Sequence, residues 1–127
     1  MTTIFSKIIS GDIPSYKVYE DEDVYAFLDI NPINKGHTLV VPKKEVDQLF
    51  DLDADTYERL MRKTKIVADL LKMKLNCKRV CMLVEGFLVP HAHVHLVPAN
   101  EQEDFVVSNA HPATKEELEA VHSLLVA

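Results

Sequence analysis

The sequence contains no apolar run close to the roughly 18 residues that a transmembrane helix needs. Its first residues, Met1 to Lys7, also lack the basic flank and the apolar stretch of a signal peptide. Cysteine is scarce, because Cys77 and Cys81 are the only two among 127 residues. Two cysteines are too few for a disulfide framework or a cysteine-rich zinc site. We therefore expect free thiols, no membrane partner and a cytoplasmic protein.

A surplus of basic residues is also missing, since the formal net charge is −6 at pH 7. Proteins that hold long nucleic acids usually have a basic face, because the neutralisation of phosphates supplies much of the affinity. The lysines of this chain are scattered among carboxylates. We expect no nucleic-acid partner. A small anionic substrate remains compatible with the charge, because a few local donors can hold one phosphate.

No internal repeat, low-complexity tract or linker divides the chain, and its length is typical of one domain, residues 1–127. Apolar periodicity predicts a short helix that is capped by Thr2 or Thr3 and ends at Gly11, and a long helix from about Ala54 to Leu75. A capping box at Thr114 opens a final helix. The predicted strands are 16–20, 24–28, 37–41, 78–84 and 91–97. This order of elements predicts an α+β fold with a mostly antiparallel five-stranded sheet.

Three histidines alternate with apolar residues in the last predicted strand. His91, His93 and His95 would share one face, about 6.5–7 Å apart along the strand, while the residues between them face the core. Neither a covered face nor an ordinary solvent face favours three imidazoles in a row. Because a neutral imidazole is a good nucleophile and base near pH 7, this triad is a candidate catalytic site. His37, at the start of another strand, could join it.

Two other interpretations of the triad remain open at this point. Two histidines of a strand can share a zinc ion, with His37 or Glu85 as a third ligand. The triad could also be a satisfied polar cluster without activity. His111 and His122 stand alone in the sequence, and we expect them to be surface or capping residues.

Four segments, in this order, resemble the histidine triad family of nucleotide-binding hydrolases and transferases. They are Ile4–Pro14, Ala26–Ile30 with Pro32, Gly36–Lys43 and the triad segment His91–Val97. The resemblance covers about residues 3 to 98. It implies a common core over residues 1–98 and a C-terminal extension, residues 99–127, with its own helix.

The resemblance implies a role for each matching residue. His93 would attack the α-phosphorus of a purine nucleoside phosphoramidate or a related anhydride, and a covalent nucleotidyl-histidine would then be hydrolysed. His95 would hold a phosphoryl oxygen. His91 and His37 would orient the nucleophile, and Asp29 would accept hydrogen bonds from the ribose. The expected base pocket consists of apolar residues: Phe5, Ile8, Phe27, Leu28, Ile30 and Val89.

The family chemistry needs no metal or other cofactor, so the resemblance favours catalysis over a metal site. It also implies a homodimer in which the long helix and strand 78–84 join two sheets into one. Some members bind a structural zinc through an N-terminal cysteine pair, where this chain has Thr3 and Ser6. We expect no such zinc here.

The loop before the triad departs from the family pattern. Many members have an asparagine, a longer glycine-rich segment, and a glutamine and hydroxyl residue at this point. This chain has a short loop, residues 84–90, with one glycine, with Leu88 at a position that is often polar, and with Pro90, which lacks an N–H donor. An alternative function is therefore a dimer that binds or senses a nucleotide with little turnover.

Overall fold

A computed structural model describes residues 3–127. Its five strands form one antiparallel sheet in the order β1-β2-β3-β5-β4, which confirms the predicted fold class. The strands are β1 (Lys17–Glu20), β2 (Val24–Leu28), β3 (Thr38–Pro42), β4 (Arg79–Leu83) and β5 (Val94–Ala99). The helices are α1 (Ile4–Ser10), α2 (Ala54–Leu75) and α3 (Lys115–Val126), with short 3-10 turns at Leu49–Asp51, Gln102–Asp104 and Val107–Asn109.

The helix ends follow from local side-chain chemistry. Thr3 caps α1 by accepting a hydrogen bond from the amide of Ser6, and Gly11 ends the helix with a positive φ of 88°. Of the two predicted caps, Thr2 lies outside the described residues. Thr114 and Glu117 form the predicted capping box of α3.

The sheet is covered on both faces, and for this reason β2 and β3 are buried along their whole length. One face packs against α2 and α3, and we call its core the α2 cluster; it includes Val40 and Val94 of the sheet, Leu60 of α2 and Val121 of α3. The other face packs against α1. We call this second core the α1 cluster, and its members are Phe5, Ile8, Tyr25, Phe27, Leu39 and Val41.

The last strand begins later than the sequence predicted. Strand β5 starts at Val94, so His91 and His93 precede it and only His95 lies within it. The reason is that the backbone next to His91 bonds to loops rather than to a strand. The His91 amide donates to the Val89 carbonyl at 2.8 Å, and the Ala92 amide donates to the Val46 carbonyl at 2.6 Å.

The C-terminal segment is packed onto the rest of the chain. Leu118, Val121 and Leu125 of α3 are buried in the α2 cluster. Nε2 of His122 donates to the Lys17 carbonyl at 2.7 Å, so this histidine ties α3 to β1. The Ala113 amide donates to the carbonyl of Ile30 at 3.0 Å. The segment therefore supports the loop that follows β2. Within residues 3–127, no helix combines the length and the apolar composition needed to cross a bilayer.

Candidate active site

The fold gathers four histidine rings on the side of the sheet that faces α1. The ring centroids of His93 and His95 are 4.9 Å apart, and those of His37 and His95 are 5.2 Å apart. Phe5 meets His93 edge to face, with centroids 4.8 Å apart. His37, His91 and His93 are buried, and His95 is 14 % exposed. His111 lies at the surface, outside this group.

A chain of hydrogen bonds fixes the tautomers of His37 and His95. The Ile33 amide can only donate, so Nδ1 of His37 accepts its hydrogen at 2.9 Å. Burial lowers the pKa of His37 and of His95 to about 4, so both rings are neutral at pH 7. The single proton of His37 is then on Nε2, which donates to Nδ1 of His95 at 2.9 Å. The proton of His95 must therefore sit on its own Nε2.

That Nε2–H of His95 is buried and has no hydrogen-bond partner among residues 3–127. A buried donor without a partner is costly, and in a functional site it usually awaits a ligand. The ring of His93 lies beside the ring that carries this donor. A hydrogen-bond acceptor, such as an oxygen of a bound anion, would satisfy the donor.

A second chain of hydrogen bonds fixes His91. Its Nε2 is 2.9 Å from the Pro42 carbonyl, which can only accept, so Nε2 carries the proton. Burial lowers the pKa of His91 and favours the neutral ring. Nδ1 of His91 then accepts from the hydroxyl of Thr3, 3.0 Å away. Thr3 thus joins the N-terminus of α1 to the triad.

The backbone of His91 in turn orients His93. Nδ1 of His93 donates to the His91 carbonyl at 2.7 Å. In the neutral ring of His93 the lone pair is consequently on Nε2. The site thus pairs one free lone pair, on His93, with one free N–H donor, on His95. This pair suits a nucleophile beside a group that holds an oxyanion.

Asp29 lies directly after β2 and contributes a half-buried carboxylate. Its Oδ1 accepts from the amide of Asn31 at 2.8 Å, and its Oδ2 is 3.6 Å from Nε2 of His37. Burial raises the pKa of Asp29. One carboxylate oxygen is held by the turn, and the other is directed toward the histidines.

The apolar residues expected in the base pocket are divided between the two faces of the sheet. Phe5, Ile8 and Phe27 belong to the α1 cluster, and Val89 packs against it. Ile30 is 61 % exposed and is a member of neither cluster. Leu28 is placed differently from our expectation: it lies in the α2 cluster, because adjacent residues of β2 point to opposite faces. Leu28 also lines a cavity of about 450 Å³ between the loop after β2 and α3, and the lining of this cavity includes Asp29 and His37.

Two groups of side chains are close enough to hold a metal ion, namely Asp29, His37 and His95, and Glu85, His93 and His95. In each group the potential ligand atoms lie within 4.8 Å of one another. His95 belongs to both groups, and neither of its nitrogens has a free lone pair: Nδ1 accepts from His37, and Nε2 carries the proton. Since a metal needs the lone pair, the hydrogen bonds favour an anion over a cation at this site.

Two of these hydrogen-bond partners were missed by reasoning from the sequence. Thr3 could be recognised only as a helix cap, although its hydroxyl also bonds to His91, 88 residues away. The Ile33 amide, which sets the tautomer of His37, has no side-chain signal at all. Both contacts depend on chain segments that are distant in sequence or on backbone geometry.

Comparison with known proteins identifies the family of the chain. The sequence profile of the HIT domain matches residues 10–102. An uncharacterised HIT-like protein of Methanocaldococcus jannaschii is 44% identical over 109 residues, which are 82% of this chain and 84% of that protein. The adenosine 5′-monophosphoramidase of Schizosaccharomyces pombe is 32% identical in sequence, over 95% of this chain and 93% of the yeast protein.

Among solved structures, a HIT-like protein from Bartonella henselae superposes with a TM-score of 0.85 at 32% sequence identity. The match covers 98% of this chain and 93% of that protein. Its crystal structure contains an unidentified ligand. Profile, sequence and structure thus agree, and the chain belongs to the histidine triad (HIT) family.

Proposed function

We propose that this protein hydrolyses a purine nucleoside phosphoramidate, or a related phosphoanhydride, through a covalent nucleotidyl-histidine. The observation that carries the proposal is the pair formed by His93 and His95. A lone pair on His93 Nε2 lies beside an unpartnered N–H on His95, with the rings 4.9 Å apart. A tetrahedral phosphate can meet both, with its phosphorus at the lone pair and an oxygen at the donor.

In the first step, the lone pair of His93 Nε2 attacks the α-phosphorus. A bond forms between Nε2 and phosphorus as the bond to the leaving nitrogen or oxygen breaks. The departing electron pair stays with the leaving atom, and an amine takes up a proton from solvent. The N–H donor of His95 stabilises the negative charge that builds up on the phosphoryl oxygen. The His91 carbonyl accepts from Nδ1 of His93 at 2.7 Å and stabilises the positive charge of the modified ring.

In the second step, water attacks the same phosphorus. The bond to Nε2 breaks, the electron pair returns to His93, and the water gives up one proton to solvent. The products are the nucleoside monophosphate and the original neutral imidazole. No redox step or metal is required, since the chain supplies both nucleophile and oxyanion donor.

Asp29 and the α1 cluster fit the nucleoside part of such a substrate. The Asp29 oxygen that faces the histidines can accept hydrogen bonds from ribose hydroxyls. Phe5, Phe27 and Val89 offer an apolar wall, and the exposed side chain of Ile30 can cover a planar base. The relationship to an adenosine 5′-monophosphoramidase favours a purine.

We also propose a homodimer that joins the two sheets through β4. Among the described strands, β4 pairs only with β5, so its other edge is open. Apolar side chains are exposed on β4 and α2, including Met82, Ile66 and Met73. An open strand edge with exposed apolar neighbours favours pairing with a second copy. Light scattering tests this, and a monomer at micromolar concentration would contradict it.

The loop of residues 84–90 supports a second candidate, a nucleotide-binding dimer with little turnover. Apart from the carboxylate of Glu85, its side chains are apolar, and Pro90 lacks an N–H. The loop therefore has no side-chain donor that could protonate a leaving group. The enzymatic function is preferred because the His93 and His95 nitrogens are already in the tautomers that the reaction needs.

The decisive experiment is a turnover screen with the wild-type protein and His93→Ala. Substrates are adenosine and guanosine 5′-phosphoramidates, dinucleoside polyphosphates and nucleotidyl sugars. We expect monophosphate release from at least one class by wild type, and no release by His93→Ala with binding of the monophosphate retained. His122→Ala is the matched control, since His122 lies in α3, outside both the histidine group and the cavity that Asp29 and His37 line. Undiminished turnover by His93→Ala would contradict the mechanism. Binding without turnover by wild type would favour the second candidate.

A further inference from the structure

Glu85 places a negative charge beside the proposed phosphate site. Its Oε1 is 3.9 Å from Nε2 of His95, the nitrogen that offers the free donor. The carboxylate also lies within 4.8 Å of a ring nitrogen of His93. Because a charge acts over about 8–10 Å at physiological ionic strength, a group that leaves a phosphorus bound at His93 departs within the range of this negative charge.

The loop backbone holds the Glu85 carboxylate in its charged form. The amide of Phe87 lies 3.5 Å from Oε2, and hydrogen bonding from the Gly86 and Phe87 amides lowers the pKa of Glu85. The turn that presents these amides requires the positive φ of 87° at Gly86. Glu85 is thus an ionised, partly exposed group beside the histidine pair.

The rest of the loop offers no compensating cation. Residues 84–90 include no lysine or arginine and no side chain that donates a hydrogen bond. Phe87 and Leu88 are each 92% exposed. A leaving group that ends in further phosphates carries two or more negative charges. The Glu85 carboxylate would repel it, and no side chain of the loop would donate a hydrogen bond to it. A leaving group that carries an ammonium ion would find an ion-pair partner.

We propose that Glu85 is a specificity-determining residue, which selects substrates whose leaving group is positively charged and rejects polyphosphate leaving groups. This inference rests on the proposed function and narrows it to nucleoside phosphoramidates of cationic amines. Two unit charges about 6 Å apart, at an effective dielectric constant of about 20–40, change a rate about 10- to 100-fold.

The test uses three adenosine 5′-phosphoramidates of similar size, with diaminoethane, propylamine and β-alanine as leaving groups. Their leaving groups carry a positive charge, no charge and a negative charge. Diadenosine tetraphosphate is the fourth substrate. Each kcat/KM is compared between wild type and Glu85→Gln, so that differences in leaving-group basicity cancel. Glu119→Gln, at an exposed position on α3, removes the same charge elsewhere and is the matched control.

For Glu85→Gln we expect kcat/KM to fall about tenfold with the cationic amidate and to rise about tenfold with β-alanine and with diadenosine tetraphosphate. The propylamine amidate should change by less than about threefold, and Glu119→Gln should leave all four values unchanged. An equal change for all substrates would mean that Glu85 acts only on the histidines and would overturn the inference. So would four unchanged values. If wild type turns over none of the four, the proposed function itself fails, and the inference falls with it.

Discussion

Nε2 of His37 donates a hydrogen bond to Nδ1 of His95 over 2.9 Å, across 58 residues of sequence. The direction of this bond is fixed because the Ile33 amide donates to Nδ1, the other ring nitrogen of His37. A backbone amide in the loop after β2 thereby determines which nitrogen of His95 carries the proton at the proposed phosphate site.

Loss of the His37 imidazole should weaken catalysis without direct loss of a substrate contact. In His37→Phe, His95 can adopt either tautomer, and part of the population presents a lone pair to the phosphoryl oxygen. We expect kcat to fall about 10- to 100-fold, as is typical when a supporting hydrogen bond to a functional histidine is lost. Nitrogen NMR of the His95 ring should show mixed tautomers. A single unchanged tautomer with reduced kcat would contradict this explanation.

The buried neutral histidines should make stability depend on pH in a defined window. The pKa of His37 and of His95 is about 4 in the folded protein, below the ordinary value of 6.5. The unfolded chain therefore binds more protons between these values, and stability falls as the pH drops from about 6.5 through 4. Each histidine contributes on the order of 3 kcal/mol to this loss.

Urea unfolding at pH 7, 5.5 and 4.5 measures this dependence. His95→Gln and His37→Gln should each flatten the curve within that window, whereas carboxylates away from the histidines affect all the proteins equally. His122→Gln is the control, since His122 lies in α3, outside the histidine group. Parallel curves for wild type and the His95 and His37 variants would show that these rings do not cause the dependence.

Loss of the Thr3 hydroxyl should leave Nδ1 of His91 buried without a donor. Thr3→Val is expected to lower the free energy of unfolding by about 1–3 kcal/mol for the unsatisfied nitrogen, and by about 1 kcal/mol more for the lost cap of α1. Thr3→Ser retains the hydroxyl and should remain close to wild type. The free energies come from urea unfolding. Equal stabilities of the two variants would contradict the role of the hydroxyl.

Substitutions of two glycines by alanine should distinguish the cost of backbone strain from the cost of steric crowding. Gly11 and Gly36 both have positive φ, 88° and 89°. A Cβ at Gly11 would meet nothing within 4 Å, while one at Gly36 would lie 3.1 Å from Cγ of Pro98 and still closer to the side chain of Leu75. Gly11→Ala should cost about 1 kcal/mol from strain alone.

Gly36→Ala should cost more than Gly11→Ala, by about 1–2 kcal/mol, because Leu75 and Pro98 must also move. Gly36 precedes His37, so the same substitution should lower kcat, and Gly11→Ala should not. Thermal or urea unfolding gives the first comparison and the turnover assay the second. Similar losses of stability at the two sites would argue against crowding at Gly36.

Local patterns in the sequence were sufficient to predict most of the secondary structure. The bounds of α2, the cap at Thr3, the end of α1 at Gly11 and the capping box at Thr114 all follow from propensities and hydrogen bonds within a few residues. The strand limits were less accurate. The start of β5 depends on the contact between Ala92 and Val46, which no local pattern encodes.

The order and spacing of the residues were enough to predict the α+β class, the alternation of His91, His93 and His95, and the family to which they point. Which nitrogen of each ring is free depends on the folded chain. Thr3, Ile33 and Pro42 lie far from the triad in the sequence, yet their donors and acceptors fix the tautomers of the histidines. This is because the proton of a neutral histidine is placed by whatever group faces its other nitrogen, and folding alone brings those groups together.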